Sequence, residues 1–470
     1  MQTQAPKSKI VSSDHGSLSY LIRIVLVATL GGLLFGYDTA VIAGAIGFLQ
    51  THFELNAAMK GWAASSALAG CVLGVLCAGP LSDRFGRRKT LIFAAVMFFV
   101  SAIGTAVPRT LTEFVVFRFL GGMGVGAASM TSPMYIAEIS PARLRGRMVS
   151  INQFAIVSGM LVVYFVNYFI VAYGEGIGGN WNDSQAWRWM FGSEAIPAVA
   201  LFVLLFFVPE SPRWLMEKGR EEQARSILTQ VDGSDNAEKE LGEIRRTVAL
   251  EPTRLSELLT SRLRTVLMIG IALAVLQQVT GINVFLYYAP EIFKSVAGAK
   301  ADIAMLQTVV VGAVNLGFTV VAIWLVDKVG RKPLMIVGTT GMGISLLALG
   351  CAAWLDQLSA WALIFILAYI ASFALSVGPV TWVILSEIFP TKFRGRALSI
   401  ATVWLWVANF GVSQTFPMMD ENPWLVETFN HGFPFLLYAA FCVLLLGIVL
   451  FAIPETKGQT LEQIEKRWLG

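Results

Sequence analysis

The heptapeptide DRFGRRK at residues 83–89 has a second version, DKVGRKP, at residues 327–333. Two other motifs repeat in the same order: AEISPARLRGR (137–147) returns as SEIFPTKFRGR (386–396), and PESPR (209–213) returns as PETKG (454–458). The three offsets are nearly equal, at 244, 249 and 245 residues. The chain is therefore a tandem duplication of one unit.

Each unit is strongly apolar. Only 14% of the 470 residues are charged, against about one quarter in an ordinary soluble protein. Runs of the ~20 apolar residues that a membrane-spanning helix needs occur at 21–46, 61–81, 90–107, 112–137, 148–172, 187–208, 265–290, 303–325, 333–353, 361–386, 397–416 and 432–453. The sequence thus predicts an all-α membrane protein with twelve transmembrane helices in two six-helix bundles.

The polar segments divide the chain around these two bundles. The long stretch between spans 6 and 7 has helical periodicity and nearly balanced charge, so we expect a helical linker without catalytic function. The predicted organisation is an N-terminal tail (1–20), a first bundle (21–208), the linker (209–264), a second bundle (265–453) and a C-terminal tail (454–470).

Lysine and arginine are distributed unevenly between the two ends of the bundles. The connections between spans 2–3, 4–5, 8–9 and 10–11 hold thirteen of them, and we call the end that carries these loops the basic face. The connections at the opposite face hold five, namely Lys60, Arg109, Arg188, Lys294 and Lys300. The positive-inside rule predicts that the basic face, the linker and both termini are cytoplasmic.

The repeated motifs place acids and bases together on the basic face. In each half a glutamate ends one span and an arginine begins the next, beside an aspartate and an arginine of the DxxGR loop. Ion pairs among them predict a cytoplasmic gate that locks the two halves together when the site faces out; a simple topology signal is the alternative. The predicted gate comprises Asp83, Arg87, Glu138, Arg145, Asp327, Arg331, Glu387 and Arg394.

Three charges lie clearly inside spans: Asp38 in GGLLFGYDTAVIAG (31–44), Arg118 in span 4 and Glu194 in span 6. An isolated charge in the membrane costs several kcal/mol. At 1.5 Å per residue all three fall in one layer near the opposite face, so we expect them to pair. A carboxylate held between an arginine and an apolar environment is suited to loading and releasing a proton. A static ion pair that fixes packing is the alternative.

Uncharged polar and aromatic side chains cluster near the middle of other spans, as a neutral polyol requires. Gly281 can open span 7 and bring its amides to one face, and Gly378-Pro379 should break span 10 before Trp382, a platform for a sugar ring. Any single amide is equally well explained as a contact between helices, worth about 0.6 kcal/mol. The candidates are Gln153, Gln277, Gln278, Asn283, Tyr287, Asn315, Gly378 and Trp382.

The strings GGLLFGYDTAV, PESPRWL, QQVTGINVFLYYAP and PETKG, with the two DxxGRR/K loops, together resemble the sugar porter family of the major facilitator superfamily. The resemblance runs from about residue 21 to the C-terminus and implies the major facilitator fold with short cytoplasmic helices. It implies that Asp38 carries the proton, with Arg118 as its partner and Glu194 as a modulator. It also assigns six of the candidates to the sugar site and adds two aromatic residues, Phe35 and Trp406.

The resemblance further implies an importer in the cell membrane that moves an aldose with a proton, D-xylose being favoured and D-glucose possible. Proton-coupled xylose porters carry glutamine at the positions of Met160 and Leu405, so the pocket here should be less polar and the preference between pentose and hexose stays open. Uniporters of the family commonly have asparagine in place of Asp38, which makes an uncoupled facilitator the first alternative.

Other classes of protein fit the sequence less well. A sugar sensor that does not transport usually has a long cytoplasmic tail, and an enzyme would need a nucleophile–base pair, a metal cluster or a phosphate loop. We therefore expect no catalytic residues, no metal and no cofactor. The expected partners are a monosaccharide, a proton and the lipid bilayer, without nucleic acid, and the protein is expected to function as a monomer.

Overall fold

The computed structural model describes residues 16–248, 261–297, 301–359, 361–390, 393–457 and 459. These residues form helices and connections, without a strand. Most of the two predicted tails and residues 249–260 of the predicted linker lie outside the described residues.

The first half consists of long helices that follow the predicted spans, and the sixth is interrupted. These helices are α1 Leu18–Phe53, α2 Ala57–Phe85, α3 Arg87–Ala106, α4 Leu111–Ile139, α5 Ala142–Ile177, α6 Trp187–Gly192 and α7 Ala195–Leu204. A π-helical turn, Asn182–Ala186, precedes α6, and a 3-10 turn, Leu205–Phe207, follows α7. Three amphipathic or short helices then lie in the linker: α8 Pro212–Glu217, α9 Glu221–Asp232 and α10 Ser234–Val248.

The second half repeats this arrangement with more interruptions. Its helices are α11 Ser261–Val279, α12 Ile282–Tyr287, α13 Ala289–Ala297, α14 Ala301–Val329, α15 Arg331–Trp354, α16 Ala362–Leu375, α17 Val377–Ile388, α18 Arg394–Asp420, α19 Pro423–Phe429 and α20 Phe433–Phe451. Eleven of the described helical segments are long and apolar enough to cross a membrane. The remaining predicted span is α18, which is 27 residues long but carries buried Asn409 and Ser413. The predicted all-α fold with two sets of six spans is confirmed.

Spans 7 and 10 both open near their middle. Span 7 breaks at Gly281, as predicted, because φ there is 91°, a value that glycine tolerates best. A side chain at Gly281 would also lie 2.5 Å from the Tyr438 ring. Span 10 breaks at Ser376, two residues earlier than the predicted Gly378-Pro379. The reason is that Pro379 has no N–H for the carbonyl four residues before it, so the turn preceding the proline opens.

Span 6 also changes from α-helix to a tighter turn at Ser193 and Glu194, a feature absent from the sequence-based prediction. The proline at position 197 cannot donate to the Ser193 carbonyl, which accepts instead from Ile196, three residues on. The Glu194 amide likewise donates to the carbonyl of Phe191 at 3.2 Å, three residues back, where an α-helix would use the carbonyl four residues back. The break places Glu194 at an irregular point of the span.

Close helix packing sets the positions of the site residues within the first half. Gly70 and Gly74 on α2 face the backbone of α4, and Gly122 and Gly126 on α4 face the backbone of α2. Small residues allow such close approach in membrane bundles. The two halves then meet along α2 against α18 and α5 against α14.

Polar contacts across this interface close the opposite face. Lys60 Nζ lies 3.4 Å from Glu421 Oε1, and Ser65 Oγ donates to Gln414 Oε1 at 2.8 Å. Gly61 leaves room for the Gln414 backbone, where a Cβ would collide. The two halves are thus joined at the end of the bundle that lies away from the basic loops.

Candidate functional site

The three intramembrane charges meet in the first half. Arg118 Nη1 on α4 donates to Asp38 Oδ1 on α1 at 2.8 Å and to the Asp38 carbonyl at 3.2 Å. The Glu194 carboxyl lies within hydrogen-bonding reach of Asp38. Asp38 and Glu194 are 0% exposed and Arg118 is 1% exposed. The structure therefore brings together the residues that the sequence placed in one layer.

This group contains two carboxyl groups but one guanidinium. No donor from the described residues reaches Asp38 Oδ2 or either oxygen of Glu194, and Arg118 Nε has no acceptor there. Two buried carboxylates in contact repel each other, so such a pair holds a proton more readily than a lone carboxylate does. One proton on the pair balances the charge of Arg118 and lets one carboxyl donate to the other.

The surroundings of the trio are apolar and tightly packed. The Arg118 guanidinium lies over the Phe191 ring, 5.4 Å from its centroid, a favourable cation–π geometry. Gly121 has no side chain where Asp38 Oδ1 and the buried Ser101 hydroxyl approach, and a Cβ would lie 3.1 Å from that oxygen. Because the three side chains are buried, electrostatic interactions among them are strong.

The candidate amides of span 7 form a connected chain in the second half. Gln277 donates to the carbonyls of Val377 and Gly378 at 3.0 Å each, so it ties span 7 to the opened turn of span 10. Gln278 donates to Gln277 Oε1 at 3.3 Å, and Asn283 donates to Gln278 Oε1 at 2.5 Å. In this conformation Gln277 joins helices, while Gln278 and Asn283 hold each other in place.

Aromatic side chains bridge the two halves beside these amides. The rings of Phe35 on α1 and Trp406 on α18 lie 5.6 Å apart, and Trp406 Nε1 has no acceptor among the described residues. Tyr287 shares a side-chain hydrogen bond with Asn409 of α18, and its helix α12 also packs against α1, which carries Asp38. Tyr287 therefore lies between the charged trio and the polar side chains of the second half.

The remaining candidates lie along the same interface. Gln153 on α5 and Trp382 on α17 are half-buried, and Asn315 on α14 is buried. The helix α14 packs against both α5 and α17, so the three residues lie on helices that contact one another. Met160 and Leu405 are buried apolar neighbours on α5 and α18. The sugar-site candidates thus lie on helices that pack at or near the contact between the halves, and their part in binding sugar stays a prediction.

The chain is similar to known proteins over nearly its whole length. The family described as "Sugar (and other) transporter" matches residues 24–468. The chain belongs to this family. It is 48% identical to the D-xylose-proton symporter of Escherichia coli over 96% of each chain, and 40% identical to the arabinose-proton symporter of Bacillus subtilis over 99% of each. The inward-open conformation of an E. coli xylose transporter is similar in structure, with a TM-score of 0.83, 45% identity and coverage of 96% of this chain and 100% of that one.

In this sugar transporter the repeated motifs build the same network twice on the basic face. In the first half Arg87 forms two hydrogen bonds to Glu138, at 2.7 and 2.8 Å, and the Ser211 hydroxyl donates to Glu138 at 2.5 Å. Glu210 accepts from the amides of Arg87 and Arg88 at the start of α3. The PES, DxxGR and AEI segments of one half are therefore joined to each other.

The second half reproduces these contacts. Arg331 bonds to Glu387 at 3.3 and 2.8 Å, and the Thr456 hydroxyl donates to Glu387 at 2.5 Å. Glu455 accepts from the amides of Arg331 and Lys332. Burial raises the pKa of Glu210, whereas at Glu455 burial is outweighed by four backbone amides that lower its pKa. From the sequence, the PES and PET motifs are recognisable only as repeats; their glutamates also accept hydrogen bonds from the first amides of a helix.

The other predicted gate residues have further partners. Asp83 pairs with Arg87 at 3.8 Å and Asp327 with Arg331 at 3.0 Å. Arg145 donates to Glu240 of the linker at 2.9 Å. Arg394 donates to the carbonyl of Phe389 at 3.4 Å. Both DxxGR arginines thus bond within their own half, and a lock between the halves on this face stays a prediction for another conformation.

Proposed function

We propose that this protein imports an aldose together with a proton, with D-xylose the favoured substrate and D-glucose the alternative, by alternating access in the cell (inner) membrane. The basic face lies in the cytoplasm with both termini, and the working unit is the monomer. The two relatives named above are symporters of pentoses and protons, which supports this assignment of coupling and substrate class.

One observation carries the proposal: two buried carboxyl groups accompany a single guanidinium in a chain whose two repeated halves meet at an interface. A facilitator has no need for the second carboxyl group, whereas a proton carrier needs a site that is neutral with one bound proton. The bond from Arg118 to Asp38 fits an ionised Asp38, with the remaining proton on Glu194. Sugar specificity then depends on uncharged donors and acceptors, because a neutral polyol offers no charge to bind.

The contacts that join the halves support alternating access. Lys60, Glu421, Ser65 and Gln414 join the halves at the face that we place outside, so we infer that this conformation is closed on that face. Repeats of six spans that rock about a central site are the common architecture of such transporters. In the outward-facing state the residues of the basic face would close the cytoplasmic side. The Asp38–Glu194 pair would then take up a proton from outside as the sugar binds.

Uptake into proteoliposomes tests the proposal. The purified protein is reconstituted with an imposed pH gradient, acid outside, and given labelled D-xylose or D-glucose with and without a proton uncoupler. We expect accumulation of one sugar above the outside concentration and its loss with the uncoupler. Entry that only equalises the concentrations would indicate a facilitator, and binding without entry would indicate a sensor. Either result would contradict proton-coupled import.

A further inference from the structure

A hydrogen bond joins the residues that precede the two acids in sequence. The Tyr37 hydroxyl lies 2.7 Å from Ser193 Oγ, and Tyr37 precedes Asp38 just as Ser193 precedes Glu194. Ser193 Oγ donates its one proton to the carbonyl of Met190 at 2.6 Å. Tyr37 is therefore the donor to Ser193, and the direction of the bond is fixed.

The bond is located where span 6 passes from one α-helix to the next through a turn with three-residue hydrogen bonds. α6 ends at Gly192 and α7 begins at Ala195, so Ser193 and Glu194, both with right-handed helical backbone angles, form the step between them. Glu194 has no donor to its carboxyl oxygens from the described residues, so no such bond of its own fixes its side chain. The orientation of this step relative to α1, and with it the distance between the two carboxyl groups, depends on contacts of the neighbouring residues.

We propose that Tyr37 and Ser193 are positioning residues that hold Glu194 against Asp38 and thereby set the pH range in which the transporter works. This inference rests on the proposed function, because it assumes that the carboxyl pair carries the proton. Tyr37 and Ser193 do not themselves bind the proton; they keep the two carboxyl groups within hydrogen-bonding reach. When this bond is lost, the pair shares a proton less tightly.

Other groups that face the carboxyl pair remain in place when the bond is removed. They are Arg118 on α4, Cys71 on α2 and Tyr287 on α12. Of the two acids, only Asp38 accepts a hydrogen bond from Arg118 among the described residues. A change in the pH profile after loss of the Tyr37 hydroxyl would therefore report the geometry of the Asp38–Glu194 contact.

The test measures equilibrium sugar exchange, without a proton gradient, from pH 5.5 to 9 in proteoliposomes that contain wild type, Tyr37→Phe or Ser193→Ala. We expect the midpoint of the profile to move to more acid pH by about half a unit to one unit in both variants, since a neutral hydrogen bond changes an equilibrium constant roughly three- to tenfold. Ser193→Thr keeps a hydroxyl and should retain the wild-type midpoint.

Matched controls remove similar bonds far from the acids. Tyr135 donates to the carbonyl of Pro209 at 2.6 Å, and Ser129 donates within α4 to Gly126 at 2.9 Å. Tyr135→Phe and Ser129→Ala should leave the midpoint unchanged. An unchanged midpoint in Tyr37→Phe or in Ser193→Ala would overturn the inference, as would an equal shift in the controls. Failure of the wild type to accumulate sugar would instead contradict the proposed function.

Discussion

Lys60 Nζ on α2 lies 3.4 Å from Glu421 Oε1 at the end of α18, and this ion pair joins the first half of the chain to the second. The two residues are far apart in sequence and on the face that we place outside. Their bond exists in the conformation that is closed on that face. It is therefore an interaction that favours one state of the transport cycle over the other.

Lys60→Ala should shift the protein towards the outward-open state. The side chains are 11% and 36% exposed, so the pair contributes about 0.2–1 kcal/mol, up to roughly a fivefold change in population. The distance between spin labels at the outer ends of α2 and α18 would show the change. The double variant Lys60→Glu with Glu421→Lys should restore the wild-type distribution; if it behaves like Lys60→Ala, the pair does not act as a lock.

Either Asp38 or Glu194 alone should be enough to neutralise Arg118 and so maintain the stability of the fold. Asp38→Asn and Glu194→Gln each leave one carboxylate near the guanidinium, but the double variant leaves Arg118 buried without a counter-charge. Removing the partner of a buried charge costs about 3–5 kcal/mol. Thermal unfolding at pH 7 in detergent measures the effect. We expect each single variant to melt slightly below the wild type, and the double variant to lose far more stability than the two single losses added together. Additive losses would mean that Glu194 does not neutralise Arg118.

Sugar affinity should depend on Gln278 and Asn283 as a unit, because Asn283 donates to Gln278 at 2.5 Å. Each alanine variant removes about one hydrogen bond to the sugar, worth roughly 1–1.5 kcal/mol, and should weaken binding about tenfold. The loss of affinity in the double variant should be smaller than the product of the two single losses. The reason is that each single change already releases the other side chain from its hydrogen bond. Calorimetric titration with D-xylose measures all four proteins. Multiplicative losses would show that the two amides act independently.

His431 should make stability depend on pH at the outer face. Its hydrogen bond with Asp420, 3.1 Å long, raises the pKa of the imidazole above its usual value, against the effect of partial burial. Because the pKa is higher in the folded state, the stabilisation is present in full below about pH 6.5, the usual histidine value, and is lost as pH rises through the raised pKa. The side chain is 48% exposed, so the effect should stay below about 1 kcal/mol.

Asparagine is the matched replacement at this position. His431 has φ of 65°, and asparagine is one of the few side chains that adopts this left-handed conformation readily. His431→Asn should therefore lower the melting temperature at pH 5.5 and leave it unchanged at pH 9. An equal loss at both pH values would mean that the ring packs there without a charge effect.

The architecture could be predicted from the sequence because apolar length and motif repetition act over long segments. The break at Gly281 was also predictable, since only glycine suits the backbone there. The break at Ser193 was missed although Pro197 signals it, because a proline in a long apolar run is compatible with either a kink or a full interruption.

The charged trio could be predicted because three charges in an apolar layer have few possible partners. The ion-pair partners on the basic face could not be predicted, because several arginines and glutamates lie within a few residues of one another. Spacing alone does not distinguish Arg87 from Arg145 as the partner of Glu138. The Lys60–Glu421 pair was beyond sequence reasoning for another reason: both residues lie in outer connections, where a solvated charge is the ordinary expectation.

The most direct test of the central claim, that Asp38 and Glu194 carry a proton with the sugar, is the external pH of de-energised vesicles when sugar is added. The account predicts alkalinisation with D-xylose or D-glucose, abolished in Asp38→Asn even though that variant still exchanges labelled sugar. Sugar entry without any change of pH in the wild type would contradict it and leave the buried trio as a structural element of the first half.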